Sequence, residues 1–160
     1  MKKKYISKSA GTNTLFLSSL TLIALICIIL NCSSEKNTIA KIKMNDTIYN
    51  LEVADTYEKR QKGLMFRKKL QEKSGMIFVY SYADYRNFYM KNTLIPLDIA
   101  FIGPDLKILN IEQMAPLDET SVPSDGEAMY AIEMNKGFFN SINMKPGDSI
   151  EILSSLKYNP

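Results

Sequence analysis

Pro96 stands between two segments of different character, and together they limit what this chain can fold into. Before it, Asn87–Lys91 alternates, with Phe88 and Met90 on one face and Tyr89 and Lys91 on the other. Lys91, Asn92 and Thr93 then place three hydrogen-bonding side chains in a row. The proline itself supplies no backbone donor and presses Ile95 toward an extended conformation. After it, Leu97-Asp98-Ile99-Ala100-Phe101-Ile102 is an almost unbroken apolar run, the pattern of a core strand. Asp98 lies inside that run, and a buried charge needs a partner. Lys91 and Asn92 are the nearest candidates in sequence.

The flanking chain is also written mostly in strands. Ile39–Met44 and Thr47–Val53 alternate around an Asn45-Asp46 turn, which reads as a hairpin. Asp55 with Glu58 three positions on has capping-box spacing and predicts a helix of about two turns ending near Gly63. Its Glu58, Lys59, Arg60 and Lys62 read as a solvated face. Gly75–Tyr80 predicts a buried strand, and 81–86 a tyrosine-rich loop. A Gly103-Pro104-Asp105 turn joins strand Leu97–Ile102 to strand Lys107–Met114. Residues 115–126 carry two prolines and no periodicity, which predicts a long loop. Ala128–Met134 reads as a strand holding one charge, Glu133, and Asn135–Ile142 as a short helix. A last strand follows at Ser149–Leu153. About seven strands and two short helices predict a mainly β, single-domain sandwich or barrel-like fold over residues 39–160.

The first 31 residues read as a signal peptide. Lys2, Lys3, Lys4 and Lys8 form a basic stretch, and Leu15–Leu30 is an apolar run of about sixteen residues, shorter than the roughly twenty of a membrane span. The ending Ile29-Leu30-Asn31-Cys32 resembles a bacterial lipobox. The resemblance implies lipid on the thiol of Cys32, residues 32–38 as a tether, and a domain held at the membrane outside the cytoplasm; an uncleaved N-terminal anchor is the alternative. Charge reads differently once that segment is set aside. The chain has 20 basic and 17 acidic side chains; the segment holds four lysines and no acid, which leaves 16 against 17. A near-neutral domain has no electrostatic footprint for nucleic acid.

The residue inventory narrows the chemistry further. There is no histidine, and the two cysteines are Cys27 within the signal and Cys32. No Ser-His-Asp or Cys-His nucleophile system can be assembled, and no zinc or copper site built on His or Cys. Carboxylate, lysine or tyrosine acid–base work, oxygen-ligand metals and plain binding stay open. The methionines read as adaptable core filler rather than a thioether metal site. Asp118, Glu119, Asp125 and Glu127 lack a calcium-loop signature and read as a solvated acidic loop. Neither a metal nor a cofactor is predicted.

Four stretches in order, Gly63-Leu64-Met65-Phe66-Arg67, Gly75-Met76-Ile77-Phe78, Phe88-Tyr89-Met90-Lys91-Asn92-Thr93 and Ile95–Phe101, resemble the bacterial and archaeal domain-of-unknown-function family numbered 192. The family usually has Trp where this chain has Tyr89, so an aromatic ring with a polar tip is kept. The resemblance implies a compact, loosely jelly-roll-like β-sandwich and no established substrate. Within these stretches Arg67, Lys91, Asn92 and Asp98 are the polar members of apolar segments, with Tyr89 beside them. They predict either a polar pocket, in which Arg67 and Lys91 meet an anionic group oriented by Asn92, or a buried network pairing Asp98 with Arg67 or Lys91. The functional expectation is a lipid-anchored envelope protein that binds a small or polymeric envelope ligand. The alternatives are a hydrolase, which needs a pair of carboxylates in one cleft, with Asp98 and Glu133 the only acids set in apolar strands, and a purely structural lipoprotein.

Overall fold

The computed structural model describes residues 38–156. The predicted signal, the lipobox and Cys32 lie outside the described residues. Nine strands and two helices follow one another: β1 Ile39–Met44, β2 Thr47–Ala54, α1 Tyr57–Lys62, β3 Gly75–Asp84, β4 Asn87–Phe88, β5 Leu97–Ile102, β6 Ile108–Met114, β7 Val122–Pro123, β8 Ala128–Asn135, α2 Phe138–Ser141 and β9 Ile150–Ile152. Seven of the strands form one sheet in the order β6-β5-β8-β3-β2-β1-β9, and β4 and β7 form a separate ribbon. Only the β2–β3 pair is parallel, and α1 with the segment after it makes that crossover. The sheet curls into a half-barrel whose two edges touch. Lys107 bridges Ser149, and the Ile150 N–H donates to Leu106 O at 3.0 Å.

The alternation of the strands sorts the apolar side chains into two clusters. Ile42, Leu51, Ile77, Ile102, Ile132 and Ile150 pack on the face the curl encloses, closed off by Phe138 and Phe139. Met76, Phe78, Leu97, Ile99 and Phe101 pack on the other face, where Leu64, Phe88 and Met90 cover them. This double cover explains why every residue of β5 is buried. A fully buried Phe or Ile stabilises by roughly 1.5–3 kcal/mol, so β5 anchors both layers. Gly75 permits the close approach of β3 to β8, because a Cβ there would stand 2.3 Å from Glu133 O.

Several local expectations need correction. The cap of α1 is Thr56, whose hydroxyl accepts from the Lys59 N–H at 3.3 Å; Asp55 instead pairs with Lys59 at 2.8 Å. The solvated basic face is therefore only partly solvated, since Lys59 and Arg60 both turn inward. The tyrosine-rich segment is the end of β3 rather than a loop, with a register shift between Val79 and Asp84. The strand expected over 87–91 stops at Phe88, although Met90 is buried and Lys91 exposed as its alternation requires. Residues 115–126 are not all loop, because Val122–Pro123 pairs with β4. The helix expected from Asn135 shrinks to Phe138–Ser141, its start held off by Gly137 in a left-handed conformation.

Candidate functional site

The structure places the chemistry on the outer face of the sheet, in a cavity of about 310 Å³ between α1, β3 and the β4 ribbon. Its floor is Leu64, Phe78 and Phe88, with the carboxyl of Glu133 set among them. Tyr80, Arg60 and Arg86 form one wall, and Thr93 contributes to the lining. The exposed rings of Tyr57, Tyr82 and Tyr89 stand at the mouth.

Glu133 reaches the floor by strand geometry. Ile132 and Met134 point into the enclosed core, so Glu133 between them points out. Its register neighbours are Met76 on β3 and Ile99 on β5, both buried and apolar. Only 5% of Glu133 is exposed, and its Oε2 has no hydrogen-bond partner among the described residues. Burial pushes its carboxyl up to about 8, against the pull of Arg67. Arg67 does not relieve it directly, because its guanidinium forks onto Glu52, with Nη2 donating to Oε2 at 2.8 Å. Gly63, at φ +46°, lets the chain pass over the floor; a Cβ there would sit 3.3 Å from Phe78 Cζ and 3.9 Å from Glu133 Oε2.

The wall is cationic and aromatic. Tyr80 meets two guanidinium groups, with Arg86 Cζ 3.9 Å and Arg60 Cζ 5.3 Å from its ring centroid. Burial pushes the Tyr80 hydroxyl up to about 12, with the two arginines pulling the other way. Arg60 is held by donating to Asp55 O at 2.8 Å and Val79 O at 3.0 Å. Arg86 donates from Nε to Ala128 O and from Nη2 to Tyr82 O. Its backbone is clamped to Ser124 by reciprocal hydrogen bonds at 2.9 Å.

The five residues singled out from sequence are not brought together. Tyr89 lines the mouth of the cavity. Arg67 lies outside the lining and pairs with Glu52. Lys91 is exposed, its carbonyl accepting from the Thr93 hydroxyl. Asn92 turns the chain at φ 55°, a left-handed conformation that Asn tolerates, and its carbonyl accepts from the Phe66 N–H at 2.8 Å. Asp98 is buried as expected, but it pairs with neither Arg67 nor Lys91 among the described ion pairs. It sits opposite Met134, whereas Glu133 sits opposite Ile99, so the two acids occupy opposite faces of the sheet. Their partners in a two-carboxylate cleft are thus missing: the cavity lining holds one carboxyl. Arg60, Tyr80 and Arg86 were missed. The signal available for them was the helix spacing of Tyr57, Arg60 and Gln61 on one face, facing a segment rich in tyrosine.

A curled mainly β domain with a one-sided aromatic pocket over a single buried acid is the class of protein these features define. The chain belongs to the DUF192 family, described as an uncharacterized ACR, whose model matches residues 38–152. No curated protein matches it. It is similar to a protein of unknown function from Novosphingobium aromaticivorans DSM 12444, at 35% identity over 76% of this chain and 89% of that one, with a TM-score of 0.67. It is also similar to a protein from Sinorhizobium meliloti 1021 proposed to be a transcription regulator, at 28% identity over 72% and 95% of the two chains, with a TM-score of 0.69.

Proposed function

We propose that this domain is a binding module that receives a small ligand, or one end of a polymeric one, at the cell envelope, where lipid on Cys32 holds it. The observation that carries the binding reading is Glu133, a buried residue with an unpartnered carboxyl oxygen that belongs to the lining of a cavity rimmed by exposed aromatic rings. Uncompensated polar burial costs about 1–3 kcal/mol, a cost that a ligand completing the hydrogen bond removes. A cavity of about 310 Å³ is at the small end of ligand sites, which suits a monomer or a chain end. A hydrolase using two carboxylates has less support, since one carboxyl lines the cleft. The anchor rests on the lysine-rich start, the short apolar run and the lipobox-like ending.

The test is a thermal-shift screen of envelope sugars, peptides and small anions with the full-length protein. Hits are then repeated on the Tyr57→Ala, Tyr82→Ala double variant. Both rings are more than 60% exposed, so the variant keeps its unliganded melting temperature while losing the hits. Hits that survive the double variant place binding elsewhere. In parallel, labelled palmitate enters the wild type and not Cys32→Ala; equal labelling removes the anchor from the proposal.

A further inference from the structure

The charged residues of the cavity lining are mostly of one sign. Arg60, Lys62 and Arg86 contribute three cationic side chains to the lining, against one acid. That excess of positive charge stands out in a chain whose predicted mature part is near neutral. Arg86 makes no ion pair among the described residues; its side chain donates to two backbone carbonyls, which leaves part of its fork for another acceptor. Beside it Asn87 Oδ1 accepts from the Ser121 hydroxyl at 2.9 Å, and Gln61, Ser81 and Thr93 complete the neutral polar lining. The remaining acid, Glu133, holds its proton at neutral pH because burial in apolar surroundings favours the uncharged form. It is then a donor as well, and so is the Tyr80 hydroxyl.

A sugar hydroxyl is neutral and gains little from that excess of positive charge. An ammonium group would meet three cations for one carboxyl. An oxyanion only accepts, and it finds cationic and neutral donors together with aromatic rings at the mouth. Accordingly we propose that the pocket takes a small oxyanion, a carboxylate or a phosphate ester, carried on a flat apolar group, with its oxygens received by Arg86 and by the carboxyl of Glu133 and the apolar group held among Tyr57, Tyr82 and Tyr89. This rests on the cavity being a binding site, as proposed above, and adds the chemistry of what enters it. The carboxyl–oxyanion hydrogen bond is charge-assisted and lies out of water, where such bonds are strongest.

The consequence is an unusual pH dependence. Ionising Glu133 replaces a donor with a negative charge facing the ligand. The cation acting on Glu133 is Arg67 after α1, with Glu52 of β2 on its fork; the cavity lining adds Tyr80 on β3, the mouth tyrosines Tyr57, Tyr82 and Tyr89, and Arg60, Lys62 and Arg86. Tyr80, held up at about 12, keeps its proton across pH 7–9, and Arg67 is raised by Glu52. Loss of a binding transition in that range on Glu133→Gln assigns it to Glu133.

Three probes with one ring and different charge test this on the full-length protein by calorimetry: benzoate, benzyl alcohol and benzylamine. At pH 7 benzoate binds about tenfold or more tightly than either of the others, a difference of one decade in Kd. Benzoate stays ionised from pH 7 to pH 9, yet its affinity for the wild type falls roughly tenfold over that range, as the proton leaves a group titrating near 8. In Glu133→Gln, which keeps a donor and cannot ionise, benzoate affinity is the same at both pH values. Preference for benzylamine, or benzyl alcohol equal to benzoate, overturns the oxyanion assignment while leaving a binding site. Wild-type affinity for benzoate that does not change with pH overturns the part given to Glu133. Binding of none of the three overturns the oxyanion proposal together with the binding reading beneath it.

Discussion

Replacing Glu133 by glutamine removes one ionisable proton and preserves shape, so its effect on stability is set almost entirely by pH. In the folded protein the carboxyl titrates at about 8, against an ordinary 4.5. Below pH 4.5 it is protonated whether the chain is folded or not, and it adds no pH dependence. Between 4.5 and 8 the unfolded chain ionises while the folded one keeps its proton. The wild type then loses stability with rising pH, at about 1.4 kcal/mol per pH unit. Above 8 the folded carboxyl ionises too, the slope flattens, and the accumulated loss is roughly 5 kcal/mol. Little screening reduces this figure, since Glu133 is 5% exposed. A small domain has a total stability of about 5–15 kcal/mol, so the effect is a large share. Urea unfolding of both proteins at pH 4, 6, 8 and 9.5 isolates it, because every other titrating group is common to the two and cancels in their difference. The variant is expected to match the wild type at pH 4 and to exceed it by several kcal/mol at pH 9.5. A difference that stays constant across the four pH values would refute the burial argument and with it the proton assigned to the cavity floor.

Two further substitutions probe the surroundings of that carboxyl. Arg67→Ala removes the one cation that pulls Glu133 downward, so the pH midpoint of Glu133, read from the same unfolding series, moves above that of the wild type; the stability loss at pH 7 from the forked pair with Glu52 is about 1 kcal/mol, because both partners are partly solvated. Gly63→Ala places a Cβ where the backbone stands at φ 46°, ψ −132°, and within 3.3 Å of Phe78 Cζ. A cost of roughly 1–3 kcal/mol in urea unfolding is expected, and a change below about 0.5 kcal/mol would mean that the turn relaxes freely.

The fold was more legible in the sequence than the pocket was, for a physical reason. Strand periodicity is local, and Ile39–Met44, Leu97–Ile102 and Ala128–Asn135 all declare themselves by which residues are apolar. The site depends on which strands become neighbours and in what register, and one step of register carries every side chain to the other face. Asp98 and Glu133 show this plainly. Both are charges in apolar strands, and either could have met the other in a cleft. Pairing of β5 with β8 sets Ile99 beside Glu133 and Asp98 beside Met134, which separates the acids by the thickness of the sheet. Arg67 reads as a polar member of an apolar segment, but its carboxylate comes from Glu52, fifteen positions back on β2, and the pair lies outside the cavity lining. Arg60 looked solvated because helix spacing says which residues share a face and nothing about what lies against it. The parallel crossover from β2 to β3 brings Arg60 to Tyr80, and Arg86 reaches the same ring from the turn into β4. Tyr89 stands at the cavity mouth because a segment that buries Phe88 and Met90 must show the intervening ring outward. Glu133 gains its role from the same alternation applied one strand over, and the turn at Gly63 leaves space above it that a side chain would have filled.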